Sequence, residues 1–250
     1  MRPGMRLSLL SRTPLLSALS LFVLLAALPA RADLPHETIY LPRAEISDEA
    51  LRNVIGIAFI TTMTGPEEEP TGELMSYRPE GDAFEPDGTL VIQELRAISG
   101  WEYDLQSLRK LPVVERRGHY LHVVIDAHTN ERTWISEIQE SETGPDVEFL
   151  AFDSKQWAWS GIDLYSLAPQ GQTRLHLAPR PDARSYQLSP AYPPRRNGQS
   201  VDARILQIRG NFLQLGDMVD LDQPLVPLGW VPLTDENGVL LIWPVFAPMC

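Results

Sequence analysis

The chain has 250 residues, 21 basic and 33 acidic side chains, a formal charge of −12 and one cysteine, Cys250. A surface of that sign repels nucleic acid and anionic lipid, which are bound largely through cationic contacts, so no nucleic-acid partner is expected. A lone cysteine allows no internal disulfide, and stability has to come from apolar burial, which a chain of this length supplies in one or two domains.

Arg2, Arg6 and Arg12 precede an apolar run from Leu15 to Leu28, which ends at Pro29 and the small-x-small triplet Ala30-Arg31-Ala32. That order is the layout of a secretory leader, so residues 1–32 are read as a signal peptide cleaved before Asp33. The run is short for a membrane span, and no cysteine follows it to carry a lipid. The remaining chain is expected to be exported, periplasmic or extracellular, with no stable membrane anchor. Removing Arg2, Arg6, Arg12 and Arg31 from the 21 basic residues leaves 17 against 33 acids, a balance of −16.

Residues 33–69 read as an N-terminal arm, a short helix and a strand. The arm holds Pro35 and Pro42. The helix is N-capped by Ser47, with Asp48 and Glu49 in its first turn, Ile46 and Leu51 as a hydrophobic staple and Gly56 as its stop. Ile57 to Met63 is rich in β-branched residues and predicts a strand. Gly65 to Gly72 combines prolines, glycines and adjacent acids, which predicts a solvated loop.

Past residue 70 the sequence is a series of apolar runs of about five residues, separated by Gly, Pro, Asn and Asp clusters, and this spacing predicts a mainly β fold. Residues 91–109 fit helix or strand equally. The segment Val113–Val123 aligns without a gap on Ile205–Leu215, with Arg116 against Ile208 as the one dissimilar pair. Downstream of each copy stands Trp134-Ile135 or Trp230-Val231, the sign of an internal repeat. Each copy reads as a hairpin: Gly118 and Gly210 supply the positive φ of a tight reversal, and His119 and Asn211 tolerate the left-handed region. After the first turn, Tyr120 and His122 face one side while Leu121, Val123 and Ile125 face the core.

These residues resemble the bacterial SH3-like domains, whose pattern runs from a Val-Leu pair through glycine, x, aromatic, Leu/Val, x, Val to a later Gly-Trp-Val. The second copy carries it at Ile205-Leu206, Gly210, Phe212-Leu213, Leu215 and Gly229-Trp230-Val231. The first carries it at Val113-Val114, Gly118, Tyr120-Leu121, Val123 and Trp134-Ile135, with Thr133 in place of the glycine. Leu74 to Pro79 and Leu175 to Pro181 resemble the family's opening strand. The resemblance implies two small SH3-like β-barrels in tandem, at 70–140 and 170–250, the second with an added C-terminal strand, joined by a connector at 141–169.

Such domains recognise peptide-like, cell-wall or protein ligands, and aromatic side chains are the usual anchors of recognition surfaces. The candidate ligand-binding residues are Tyr77, Tyr120, Trp134, Phe212 and Trp230 in the barrels, and Trp157 and Trp159 in the connector. Against that, Trp134 and Trp230, at repeat-equivalent positions, fit core packing better than a ligand groove, and Trp157 and Trp159 equally suit packing the two domains together.

Catalytic and metal chemistry find less in the sequence. Ser107 and Lys110 have a serine-lysine spacing without its companion motifs. His119 and His122 fall on opposite faces of a strand, His122, Asp126 and His128 run into a turn, and Asp217, Asp220 and Asp222 read as a solvated loop. No catalytic residue, metal or cofactor is therefore expected. The function expected is exported, non-enzymatic binding or scaffolding in the cell envelope. The alternatives are an envelope hydrolase with a carboxylate-based site, and a structural or inhibitory subunit of an exported complex, with Cys250 offering a thiol through which two copies could join.

Overall fold

The computed structural model describes residues 40–41, 43–61, 71–98, 108–139, 144–154, 163–166, 174–187, 195–196, 199–200, 203–217 and 224–245. Residues 1–32, read as a signal peptide, the stretch before Thr71 read as a solvated loop, Ser107, Trp157, Trp159, Asp220, Asp222 and Cys250 lie outside the described residues. The strands of the first half are β1 (Tyr40–Leu41), β2 (Gly56–Thr61), β3 (Glu73–Glu80), β4 (Ala83–Val91), β5 (Ala97–Ile98), β6 (Leu108–Arg117), β7 (Tyr120–Asp126), β8 (Glu131–Ser136) and β9 (Asp146–Ala151). Those of the second are β10 (Asp163–Ser166), β11 (Arg174–His176), β12 (Ser185–Gln187), β13 (Arg195–Arg196), β14 (Gln199–Ser200), β15 (Ala203–Arg209), β16 (Phe212–Asp217), β17 (Val226–Pro232) and β18 (Ile242–Val245).

Two antiparallel sheets carry the fold. The first has the order β4-β3-β8-β7-β6-β2-β9 and the second β12-β11-β17-β16-β15. The mainly β expectation is met. The five strands β4-β3-β8-β7-β6 follow the same course as the whole second sheet, and the internal repeat is the reason. Arg117 pairs with Tyr120 and Arg209 with Phe212, each across a reversal that opens with Gly118 or Gly210. The two glycines have φ +62° and +56°, whereas His119 and Asn211 are absent from the positive-φ residues. The first central residue alone is therefore left-handed, and glycine alone bears the requirement.

The equivalence extends beyond the turns. A bulge falls between Val113 and Glu115 in one copy and between Ile205 and Gln207 in the other. Trp134 pairs across to Tyr77 of β3, and Trp230 to His176 of β11. The Glu137 N–H donates to the His119 carbonyl at 2.8 Å, and the Leu233 N–H to that of Asn211 at 2.9 Å. The strand β11 thus matches β3 with His176 in the place of Tyr77.

Three expectations are corrected. The short helix at Ser47 does not form: no α-helix occurs among the described residues, and Arg43–Glu45 is a single 3-10 turn. The Ser47 Oγ does accept the Ala50 N–H at 3.1 Å, but the following bonds are i to i+3 and Asn53, at φ +57°, turns the chain into β2. One turn is a costly nucleus with no further residues to propagate it. Gly56 is not the stop of that helix but the first residue of β2, where a Cβ would stand 2.5 Å from the Leu150 carbonyl oxygen of β9.

The two closed barrels are the third correction: among the described strands neither sheet closes on itself. Strand β2 alternates between two cores. Ala58 and Ile60 point to a cluster with Leu74, Leu111, Val113, Leu121, Val123 and Ile135, on one side of the first sheet. Ile57 and Phe59 point the other way, into a cluster that also takes Leu175, Ile205, Leu213, Leu215 and Val231 of the second sheet. The two sheets therefore share a core, and an apolar face that a barrel would bury inside itself is buried against the neighbouring sheet instead.

The C-terminal segment joins the same core. A turn at Asp235–Gly238 returns the chain, so that the Leu240 N–H donates to the Leu51 carbonyl at 2.9 Å and the Asn53 N–H to that of Gly238 at 3.0 Å. Trp243 is fully buried and its Nε1–H reaches the Ile98 carbonyl at 3.1 Å. The final strand β18 pairs with β10.

Candidate functional site

On β7 the alternation required by a half-buried strand puts Leu121 and Val123 into the core and Tyr120 and His122 on the opposite face. The alternation continues, so that Ile125 packs against the cluster of Leu121 and Val123 while Val124 joins the core shared with the second sheet, and a bulge falls between Val124 and Asp126. The register brings neighbours from three strands onto that opposite face: Trp134 of β8 lies across from His122, Tyr77 of β3 across from Trp134, and Phe84 of β4 follows across the β3–β4 hairpin.

The rings meet. Phe84 and Tyr120 are stacked with centroids 4.0 Å apart, Tyr77 meets Tyr120 edge-on at 5.0 Å, and Phe84 leans on Trp134 at 4.9 Å. His122 lies flat on Trp134 at 4.8 Å with the planes 9° apart, and His119 flanks Tyr120 at 4.2 Å. The Arg117 guanidinium covers the Trp134 ring at 5.1 Å while its Nε donates to Glu115 at 2.7 Å. Trp134 is buried beneath its neighbours; Tyr77, Phe84, Tyr120, His119 and His122 are half-buried. The strip continues along β3 and β4 through Met75 and Val91, which are 41% and 37% exposed.

The second sheet repeats part of this. Arg209 stands over Trp230 at 5.5 Å, as Arg117 does over Trp134, and His176 meets Phe212 edge-on at 5.7 Å, as Tyr77 meets Tyr120. Here the set is closed: His176, Phe212 and Trp230 are 9%, 8% and 6% exposed. Extending the His176–Ser185 register by two residues puts Ala183 at the place of Phe84, so the ring that caps the first cluster has no counterpart.

Of the residues singled out in the sequence, Tyr77, Tyr120 and Trp134 are brought together on one face, and Phe212 and Trp230 on another. Sequence reasoning missed Phe84, because its strand, with Pro86 and Gly88 and a mostly exposed pattern, was not recognised. It missed His176 as well, and the Arg117 and Arg209 pair, although those two arginines stand at aligned positions of the repeat.

Electrostatically the face is uneven. Burial, with the nearby Arg132 cation, depresses the His122 imidazole below its ordinary value of 6.5, against a smaller opposing effect of Glu115. Hydrogen bonding with Glu80 and then Arg78 holds the Glu85 carboxyl below the ordinary carboxylate range. Asp126 Oδ1 accepts the N–H groups of His128 and Thr129, and His128 Nδ1 lies 2.8 Å from the Glu45 carbonyl oxygen, so both side chains serve the turn. Among the described residues the buried polar side chains are Ser76, Arg109, Lys110, Ser136 and His176, with no Asp or Glu, and no group of His, Cys, Asp and Glu is gathered to hold a metal.

A separate groove of about 380 Å³ is lined by Ile55, Phe149, Phe152, Gly210 and Leu233, with Arg116 over the Phe149 ring at 5.0 Å. It is smaller in aromatic content than the ring face and its cation is held by Glu137 at 2.6 Å. The ring face can take flat or apolar groups by stacking and burial, with charges at its margin. No protein-family model, curated protein or solved structure matches this chain.

Proposed function

We propose that this is an exported, non-enzymatic binding or scaffolding protein of the cell envelope, built from two SH3-like units, which recognises a peptide-like, cell-wall or protein ligand through the ring face of its first sheet. The equal strand order, bulges and glycine reversals of the two halves support the duplicated unit. One observation carries the binding reading: the same ring-and-arginine arrangement occurs in both sheets, buried in the second and half-open in the first, where it continues into exposed Met75 and Val91. Packing alone would favour closing both, since exposed contiguous apolar surface marks interaction sites.

The reading is tested by NMR titration of the full chain with short peptides and with cell-wall glycan fragments. Shifts concentrated at Tyr77, Phe84, Tyr120, His122 and Trp134 are expected. Shifts confined to the second sheet, or none with any probe, would overturn it.

A further inference from the structure

The outer strand of the first sheet is β4, which among the described residues pairs on one side only, with β3. Seven of its nine residues are exposed, and Phe84 and Leu90 are half-buried, so the strand lies open to solvent. Such an edge presents a row of unanswered N–H and C=O groups, and proteins guard these rows with proline, bulges and charge. The hairpin half of β4 has all three: Glu85, Pro86 and Asp87, with a bulge where Pro86 and Gly88 face Tyr77 and Ser76. The other half, Gly88-Thr89-Leu90-Val91, has none of them. Its phase is fixed at the end of the ladder, where the Ile92 N–H donates to the Gly72 carbonyl at 3.0 Å. Bonded and non-bonded pairs alternate along an antiparallel ladder, so Val91, across from Glu73, and Thr89, across from Met75, turn their N–H and C=O groups outward. Their side chains share with Met75 the face that carries Tyr77, and there Met75 and Val91 are 41% and 37% exposed.

We propose that an extended polypeptide segment adds to the sheet along Gly88–Val91, its main chain bonded to the outward groups of Thr89 and Val91 and every second side chain, an apolar one, laid on the ring face; this rests on the binding reading above. In strand addition the main-chain bonds supply affinity and the alternate side chains supply selectivity. Here those side chains extend the apolar strip of Met75 and Val91. A segment of about seven residues, roughly 23 Å when extended, reaches from Val91 past the guarded half to the Phe84 ring. A glycan carries no alternating main-chain donors and acceptors at this spacing and would leave the edge unanswered. Two copies joined through β4 would have to run their ladder through two prolines and two bulges, whereas a separate segment meets one of each.

The test is calorimetric titration of the full chain with capped peptides of about seven residues alternating Ser with Val, Leu or Phe, with the same peptides N-methylated at every amide, and with a chitin-type oligosaccharide. At least one unmodified peptide is expected to bind, and its methylated form to lose about tenfold or more in affinity, since it keeps the side chains but cannot donate. Thr89→Pro removes an outward N–H and no bond to β3, a place where an edge strand accepts proline, and should also lose about tenfold or more. Phe84→Ala, which reads the ring face, should lose a similar amount. Thermal melting checks that both variants remain folded, and peptide binding should slow amide exchange at Thr89 and Val91, a readout that needs no variant. If Phe84→Ala weakens a peptide while methylation and Thr89→Pro do nothing and exchange is unchanged, the added strand is overturned and the ring face stands. Binding of the oligosaccharide alone, dependent on Phe84, has the same meaning. Self-association of the free chain that Thr89→Pro abolishes would make a second copy the occupant and overturn the separate segment. If methylation and Thr89→Pro matter but Phe84→Ala does not, the edge stands and the ring face falls; if no probe binds, both fall.

Discussion

His122 lies flat against Trp134, the two rings 4.8 Å apart and 9° from parallel, on directly opposed positions of β7 and β8. Burial of this imidazole, and then the Arg132 and Arg117 cations beside it, reduces its proton affinity in the folded chain. The unfolded chain binds that proton more readily, so folding is favoured more at high pH. The His122 contribution is fully present above 6.5, and it is lost as the pH falls from there through the lower folded value. In urea titrations from pH 8 to pH 5, the parent should lose stability over that interval, and His122→Gln should show a shallower decline. The imidazolium should also quench Trp134 fluorescence in the parent only.

The two reversals respond to side-chain substitution through backbone conformation and not through crowding. A Cβ at Gly118 or Gly210 would have nothing within 4 Å, yet both residues sit at positive φ. Gly118→Val and Gly210→Val should each lower unfolding free energy by about 1–2 kcal/mol, with Gly118→Asn close to the parent. Denaturant midpoints measure the effect, and equal losses in the two variants are expected from equal geometry.

Asp235 organises the C-terminal turn: one carboxylate oxygen accepts the N–H groups of Asn237 at 2.8 Å and Val239 at 2.9 Å. Asp235→Ala should cost about 1–2 kcal/mol. Hydrogen exchange should rise at Asn53 and Leu240, whose N–H groups bind across to this segment, before it rises in β7.

Trp243 fills the shared core and ties it to Ile98 by one hydrogen bond. Trp243→Phe leaves the Ile98 carbonyl unanswered and a void beside it, and should cost about 2–4 kcal/mol. Both sheets should then melt in one transition at lower temperature, as calorimetry would report.

The strands around the repeat were legible because Gly118 and Gly210 mark them chemically and the residues after each glycine alternate cleanly. What was hidden depended on long-range partners. Ser47 to Leu51 carries good capping residues, yet the segment makes one turn because Asn53 and Gly238 meet and draw the chain away. Phe84 was invisible because its strand, Ala83–Val91, holds Pro86 and Gly88 and is mostly exposed, so neither composition nor apolar spacing announces it. The barrels failed as a prediction for the same reason: the pattern in Ile57–Ile60 shows that both faces are buried, but not that the second face belongs to the other sheet. The pairing of Tyr77 with Trp134 and of His176 with Trp230 lies beyond any local signal, since each joins residues more than fifty positions apart.

Because Leu240 and Trp243 complete a core begun by Ala50 and Ile57, the side of the first sheet that faces the second stays unfilled until those residues are in place, although its other side has a core of its own. A piece cut from either half would expose the shared face, and completing that core waits on long loop closures.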